Sequence, residues 1–234
     1  MKFIRKREEP SEYLRWKQQK SEDWQPNWEN LRDGKDGSGL KPKSSLKKSL
    51  MEEQGYLCCY CGRRIDLSSS HIEHLKPRHS YPKLSLDYSN LLASCPGYSE
   101  EEALEHFQHG KLPQEHCGHL KGSWYDEKLM VSPLEERCEI SFRYTAFGEI
   151  LAGSSLECKE ASLETIKRLG LNASSLQRAR RTVLEEIISF VDELSDEELL
   201  NLAQDLDKPD DEGKYVRFYS AIVYVLKALI FPHK

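Results

Sequence analysis

Four things are missing from this chain. No apolar run follows Met1-Lys2, so no secretory signal is expected at this end. No stretch reaches the roughly 20 apolar residues that a membrane span needs. The most apolar segment, Tyr215–Phe231, is broken by Arg217 and Lys227 and reads as a buried or partner-facing helix. Excess positive charge is missing too: the formal net charge is −5, whereas a free nucleic-acid binder tends to be basic. No internal repeat or low-complexity tract breaks the pattern. These absences lead us to expect a cytoplasmic chain with no membrane partner.

What is present is ordinary in bulk and unusual in detail. The 234 residues are 31% charged and 38% hydrophobic, enough for one substantial domain or two small ones. Seven cysteines without an export signal indicate a reducing compartment. There a close Cys-x-x-Cys means metal or redox chemistry more often than a disulfide. Charge is unevenly spread. Lys2, Arg5, Lys6 and Arg7 open the chain, and acidic residues crowd Glu185 to Asp211. Arg63, Arg64, Lys76, Arg78, Lys83 and Lys121 lie around the cysteines, where a basic rim could hold phosphates. The overall negative charge suggests that affinity comes partly from a partner.

Residues 1–43 read as a basic, aromatic-rich arm with a helix capped by Ser11, then a Gly/Pro-rich linker over 33–43. Residues 44–135 form the core. Ser45 caps a helix that Gly55 ends, and Tyr56–Asp66 is a knuckle hairpin. His71–Leu75 is extended, and Asp87 caps a helix holding Tyr88, Leu91 and Leu92. Residues 96–115 are an insertion. Residues 136–234 begin with a strand over Glu139–Ala146 and a turn at Gly148, and the remainder is helical. Asn172 is expected to cap a long helix, and Ser195 with Glu198 makes a capping box for the next. Tyr219, Ile222, Val223 and Leu226 either face a partner or pack internally.

The chemistry concentrates between Cys58 and Lys121. Cys58 and Cys61 have the spacing of two thiolates on one tetrahedral Zn²⁺, and Cys95 and Cys117 would complete the set. Cys59 should point away, and His116 could stand in for Cys117. Four protein ligands leave no open position, so this zinc would be structural. Within the same stretch, Glu73-His74 and Asn90 have the makings of phosphodiester hydrolysis. Imidazole titrates near neutrality and suits the base. A carboxylate suits a hard Mg²⁺. An asparagine can orient the imidazole or brace its loop. His71 shares Glu73's strand face and reads as a ligand, a supporting group or a surface residue. The reading expects the ring of residue 74 beside a cation that Glu73 helps to hold.

These residues carry a resemblance. Cys58-x-x-Cys61, Glu73-His74-x-x-Pro77, Asn90-Leu91-x-x-x-Cys95 and Cys117-x-x-x-Lys121-Gly122 resemble the HNH endonuclease superfamily. The chain is similar over most of its length to the PtuB-type branch, through Arg5-Lys6-x-x-Glu9-Pro10, Cys58-Cys59-Tyr60-Cys61-Gly62, His71-Ile72-Glu73-His74 and Thr165-Ile166-x-x-Leu169-Gly170-Leu171-Asn172. That branch supplies effectors of Septu and related retron anti-phage systems. The resemblance implies an α+β fold: a zinc-containing ββα-metal core over 44–135, preceded by the arm and followed by a short β-hairpin and helices. It implies His74 as general base, Glu73 as ligand of a catalytic Mg²⁺ or Mn²⁺, Asn90 as the middle residue, and structural zinc on Cys58, Cys61, Cys95 and Cys117. It also implies a PtuA-type ATPase partner, a DNA or RNA substrate, and a reverse transcriptase in the same system if that system is a retron. Two positions depart from the pattern. Glu73 stands where Asp is usual, and Gly118 stands where the last ligand usually follows the fourth cysteine, so His119 or His116 must take that role. The competing reading is a non-catalytic zinc module that binds nucleic acid or an ATPase.

Overall fold

The computed structural model describes residues 1–19, 21–34, 39–98, 100–110, 114–191 and 194–230. The part of the linker at 35–38 lies outside them. The elements run α1 (Ser11–Gln18), α2 (Pro42–Glu53), β1 (His71–His74), β2 (Leu91–Ser94), α3 (Glu100–His109), α4 (Cys117–Lys121), β3 (Phe142–Tyr144), β4 (Ile150–Ala152), α5 (Leu156–Arg168), α6 (Ser174–Val191), α7 (Asp196–Leu206) and α8 (Tyr219–Ile230).

α2 starts earlier than Ser45. Proline tolerates the first helical position because its missing N–H would be unpaired there anyway. Asp33 supplies the cap from outside, its carboxylate accepting from the backbone N–H groups of Lys43 and Ser44 at 2.9 and 3.1 Å. Leu46, Leu50 and Met51 are fully buried, and this face of α2 packs on β2. α1 packs on α2 and buries Tyr13 and Trp16, which stack at 5.8 Å; its N-cap is Pro10, not Ser11.

β1 and β2 form an antiparallel ribbon pairing His71 with Ser94, Glu73 with Leu92 and His74 with Leu91. The helix expected after Asp87 is instead one 3-10 turn (Tyr88–Asn90) followed by β2. Asp87 does cap that turn, accepting from the Ser89 N–H at 2.9 Å. Leu91 through Cys95 is buried on both faces. A strand covered on both sides reads as a continuous apolar run, so its periodicity cannot separate strand from helix.

The knuckle lies against this ribbon. Cys58 N–H donates to the Arg63 carbonyl and Gly62 N–H to the Cys58 carbonyl, closing the turn. Buried Gln54 locks the knuckle to β2. Its amide donates to the Leu57 and Ala93 carbonyls and its carbonyl accepts from Ala93 N–H, all at 2.7–2.8 Å.

Beyond residue 135 the strand expected over Glu139–Ala146 is only β3, paired with β4. Asn172 does not cap α6. Its side chain holds Ile150 at both N–H and C=O (2.8 Å each), pinning β4. Ser195 and Glu198 form the expected capping box on α7. Tyr219, Ile222, Val223 and Leu226 are buried, and α8 packs against α6, α7 and β3, so they offer no exposed patch. One apolar core includes side chains from Met1 to Leu226. No helix among the described residues is long and apolar enough to cross a membrane.

Gly148 turns the β3–β4 hairpin at φ +79°. A Cβ there would fall 2.2 Å from the Gln177 carbonyl and 2.7 Å from Arg181 N, both on α6. Its own carbonyl accepts from the fully buried Arg180 at 2.7 Å. Gly148→Ala is therefore expected to cost about 2–4 kcal/mol, combining a left-handed backbone with a backbone clash. Urea unfolding checks this, and a loss under about 0.5 kcal/mol would show that α6 does not press on the hairpin.

Candidate active site

Four sulfur atoms organise this region. The Sγ atoms of Cys58, Cys61, Cys95 and Cys117 lie within 4.8 Å of one another, and all four residues are buried. Cys61 and Cys95 sulfurs are 3.8 Å apart. Four sulfurs at about 2.3 Å from one tetrahedral zinc are about 3.8 Å apart, so the donor set fits that ion. Cys59 lies outside the set. The ligands come from three places: the knuckle, the end of β2, and α4.

Cys117 carries the local cost. It is not glycine, yet sits at φ +57°, a strained conformation that persists where the surroundings over-determine it. Its N–H donates to the Leu169 carbonyl at 2.7 Å, holding the start of α4 to the end of α5. The His116 ring lies alongside, with Nδ1 3.3 Å from the Cys117 sulfur. Without metal the pocket cannot hold four anions. Burial pushes the Cys117 thiol up, while neighbouring thiols donating to Cys58 outweigh its burial and hold it well below the usual thiol range. A divalent cation is what would let all four deprotonate.

β1 presents different groups on its two faces, because successive strand residues alternate. Glu73 is buried and faces α4. Its Oε1 accepts from the Lys121 ammonium at 2.8 Å and from the Tyr60 hydroxyl at 3.2 Å. Its Oε2 lies 3.4 Å from His71 Nε2. Burial would raise this carboxyl, but the His71 contact and the Lys121 charge outweigh it and hold it below its ordinary value. Lys121 also donates to the His74 carbonyl at 2.9 Å.

His74 ends β1 and is half-buried. Its Nε2 lies 3.0 Å from the Ser85 carbonyl oxygen. A carbonyl only accepts, so the ring proton sits on Nε2 and Nδ1 keeps its lone pair. Trp28 packs against the ring at 4.3 Å between centroids, in an edge geometry. Burial lowers the pKa of His74 from its ordinary value, against the Ser85 carbonyl and the charge of Glu73. Among the described residues the ring's hydrogen bond goes to the Ser85 carbonyl, while the Glu73 carboxylate pairs with His71 and Lys121. A cavity of about 400 Å³ lined by Asn27, Trp28, Glu29, Arg78, His79, Pro82 and Ser85 opens on this side.

Asn90 braces the loop and does not touch the imidazole. Its amide donates to the Lys76 and Leu84 carbonyls (2.9 and 3.2 Å), and its oxygen accepts from Lys76 N–H at 2.8 Å. The braced loop delivers the Ser85 carbonyl to His74. His119 reaches the other face, its ring 5.3 Å from that of His71 and 6.0 Å from Tyr98.

The basic residues separate. Lys76 lies over Tyr125 and Tyr81 at 5.3 and 5.7 Å, and Arg78 pairs with Glu29 at the cavity. Arg63 reaches the Tyr98 carbonyl, while Arg64 turns to the Tyr215 and Gly55 carbonyls. Lys121 was expected as a phosphate contact, but it is buried and committed to Glu73. An ammonium so placed is satisfied by its carboxylate and is not available to solvent. Sequence reasoning missed Trp28, Ser85 and Tyr60. Only Tyr60, inside the Cys-x-x-Cys, carried a local signal.

Residues 58–97 match the family model of the HNH endonuclease. An HNH endonuclease segment therefore lies within this chain. It is 30% identical over 151 residues to a retron Vc95 protein of Vibrio cholerae serotype O1 biovar El Tor whose name assigns it to the HNH endonucleases. That alignment covers 62% of this chain and 66% of the Vibrio protein. It is 36% identical over 61 residues to Septu protein PtuB of Bacillus thuringiensis, covering 25% of this chain and 24% of that protein. The HNH-matching segment contains Cys58, Cys61, Glu73, His74, Asn90 and Cys95. α4, with the fourth sulfur, lies beyond it.

Two outcomes follow for this site. Cys58→Ser should lose bound zinc, read by mass spectrometry. It should also lower Tm by about 5 °C or more, since ~2 kcal/mol moves a domain of this size by about 4–8 °C; unchanged zinc content and melting would refute the four-sulfur site. Asn90→Ala removes three hydrogen bonds and should cost about 2–3 kcal/mol in urea unfolding. A cost near zero would show that the loop delivering Ser85 holds itself.

Proposed function

We propose that this chain hydrolyses nucleic-acid phosphodiester bonds with the help of a divalent cation, as the nuclease effector of an anti-phage system. The observation that carries the reading is the His74 ring. Its Nε2–H is committed to the Ser85 carbonyl and its Nδ1 lone pair is left for a proton. A zinc adaptor would need the cysteines but has no use for a ring held in that tautomer. The match to the HNH endonucleases and the names of the retron and Septu relatives support the same reading.

In this proposal β1, β2 and α4 form the ββα-metal core. His74 Nδ1 accepts a proton from a water molecule, and the water oxygen bonds to phosphorus as one ester P–O bond breaks. The departing oxygen takes a proton from solvent, and His74 returns its own to bulk water. Glu73 and His119 would hold Mg²⁺ or Mn²⁺, which when bound supplies charge neutralisation for the phosphate and the departing oxygen. Asn90 acts as a positioning residue through the loop. Lys76 and Arg78 would guide phosphates towards the cavity. The attack uses external water and needs no 2′-hydroxyl, so DNA and RNA, including tRNA, both suit it. The net charge of −5 supports a second component. An ATPase of the PtuA type, with a reverse transcriptase if the system is a retron, is the partner this reading takes.

The test is purification with the neighbouring ATPase, then incubation with DNA and with total RNA plus Mg²⁺ or Mn²⁺. His74→Ala should cut cleavage by about a hundredfold or more and abolish protection in cells, with zinc content and melting unchanged. A His74→Ala protein that protects cells as the parent does would overturn the catalytic role of this ring.

A further inference from the structure

We infer that His71 is itself a ligand of the divalent cation at Glu73, filling with a strand-borne imidazole the space that Gly118 leaves empty on α4. The inference rests on the proposed metal-dependent reading and adds a ligand and a metal preference to it. His71 and Glu73 stand two apart on β1 and so share a face. Two of the four lone-pair directions of the Glu73 carboxylate are taken, since Lys121 and Tyr60 both donate to Oε1. Oε2 remains, and it points where His71 Nε2 points. A Cβ on Gly118 would fall 2.5 Å from Oε2 and 2.8 Å from Nε2, so the two donor atoms converge on the side-chain space of residue 118. The backbone at 118 is not left-handed, so nothing in its own conformation demands glycine there. What requires it is the pair of donors in that space.

The separation of those donors suits a shared ion. Neighbouring ligands at about 2.1 Å on an octahedral cation are about 3.0 Å apart, and Nε2 and Oε2 lie 3.4 Å apart. His71 Nδ1 is buried without a hydrogen-bond partner among the described residues. His119 brings a further imidazole to the same face, 5.3 Å from His71 between ring centroids. A centre with one carboxylate oxygen and one or two imidazoles is softer than an all-oxygen site. It favours first-row transition ions such as Mn²⁺, Co²⁺ or Ni²⁺ over Mg²⁺.

The experiment titrates Mn²⁺ into the zinc-loaded full chain without nucleic acid, following free Mn²⁺ by electron paramagnetic resonance. His71→Ala should weaken Mn²⁺ binding by about tenfold or more, and so should Glu73→Gln. Nitrogen hyperfine coupling on Mn²⁺ bound to the parent protein gives a readout that needs no variant. Coupling that drops by one imidazole in His71→Ala supports the assignment. No nitrogen coupling in the parent, or His71→Ala binding Mn²⁺ as the parent does while Glu73→Gln does not, overturns this inference and leaves the nuclease reading intact. Mn²⁺ affinity unchanged in Glu73→Gln as well would remove the metal centre and both readings with it.

Discussion

The convergence of four buried sulfurs is the constraint on which the site depends. The knuckle, the end of β2 and α4 are each too small to hold their own geometry; α4 is five residues long. Such pieces gain order from a shared cation where one binds, in addition to the apolar core they join. Once the sulfurs meet, α4 has one position available to it. Cys117 is held in a strained backbone, and Lys121, one turn further on, is delivered to Glu73.

That delivery couples the two halves of the chemistry. A buried ammonium is costly unless it is paired and hydrogen-bonded. Lys121 has both: the Glu73 carboxylate, and the backbone carbonyl of His74. One side chain on the helix that carries Cys117 therefore fixes the strand's acidic residue and the backbone of its basic neighbour. The two faces of β1 then diverge. One gathers Glu73, His71 and His119 against Gly118. The other presents the His74 ring between Trp28 and the Ser85 carbonyl. The ring's tautomer is set by a loop that Asn90 braces, so Asn90 acts on the imidazole without touching it.

The packing also restricts how the molecule can meet others. α8, the most apolar helix of the chain, spends its apolar face on α6, α7 and β3. Of the basic residues near the site, Arg78 lines the cavity beside Trp28 and Ser85, Lys76 lies over Tyr125 and Tyr81, and Arg64 ties the knuckle to the segment before α8.

Much of this was legible because it is local. The Cys58–Cys61 spacing, the extended Glu73-His74 pair, the capping box at Ser195 and the turn at Gly148 depend on near neighbours and on backbone chemistry carried by single residues. The errors came where tertiary packing outweighs local preference. Leu91–Ser94 looks helical until both of its faces are seen to be covered. Asn172 looks like a cap until β4 arrives to take its amide, and Lys121 looks like a phosphate contact until α4 turns it inward. The sequence by itself determined which residues can bind metal, move a proton and punctuate the backbone, because those are properties of side-chain chemistry and short spacing. Only the tertiary structure decided that Trp28 would pack on His74, that Ser85 would set its tautomer and that Gly118 would leave room for His71. Those pairings join segments far apart in the chain, and their geometry follows from how the elements pack.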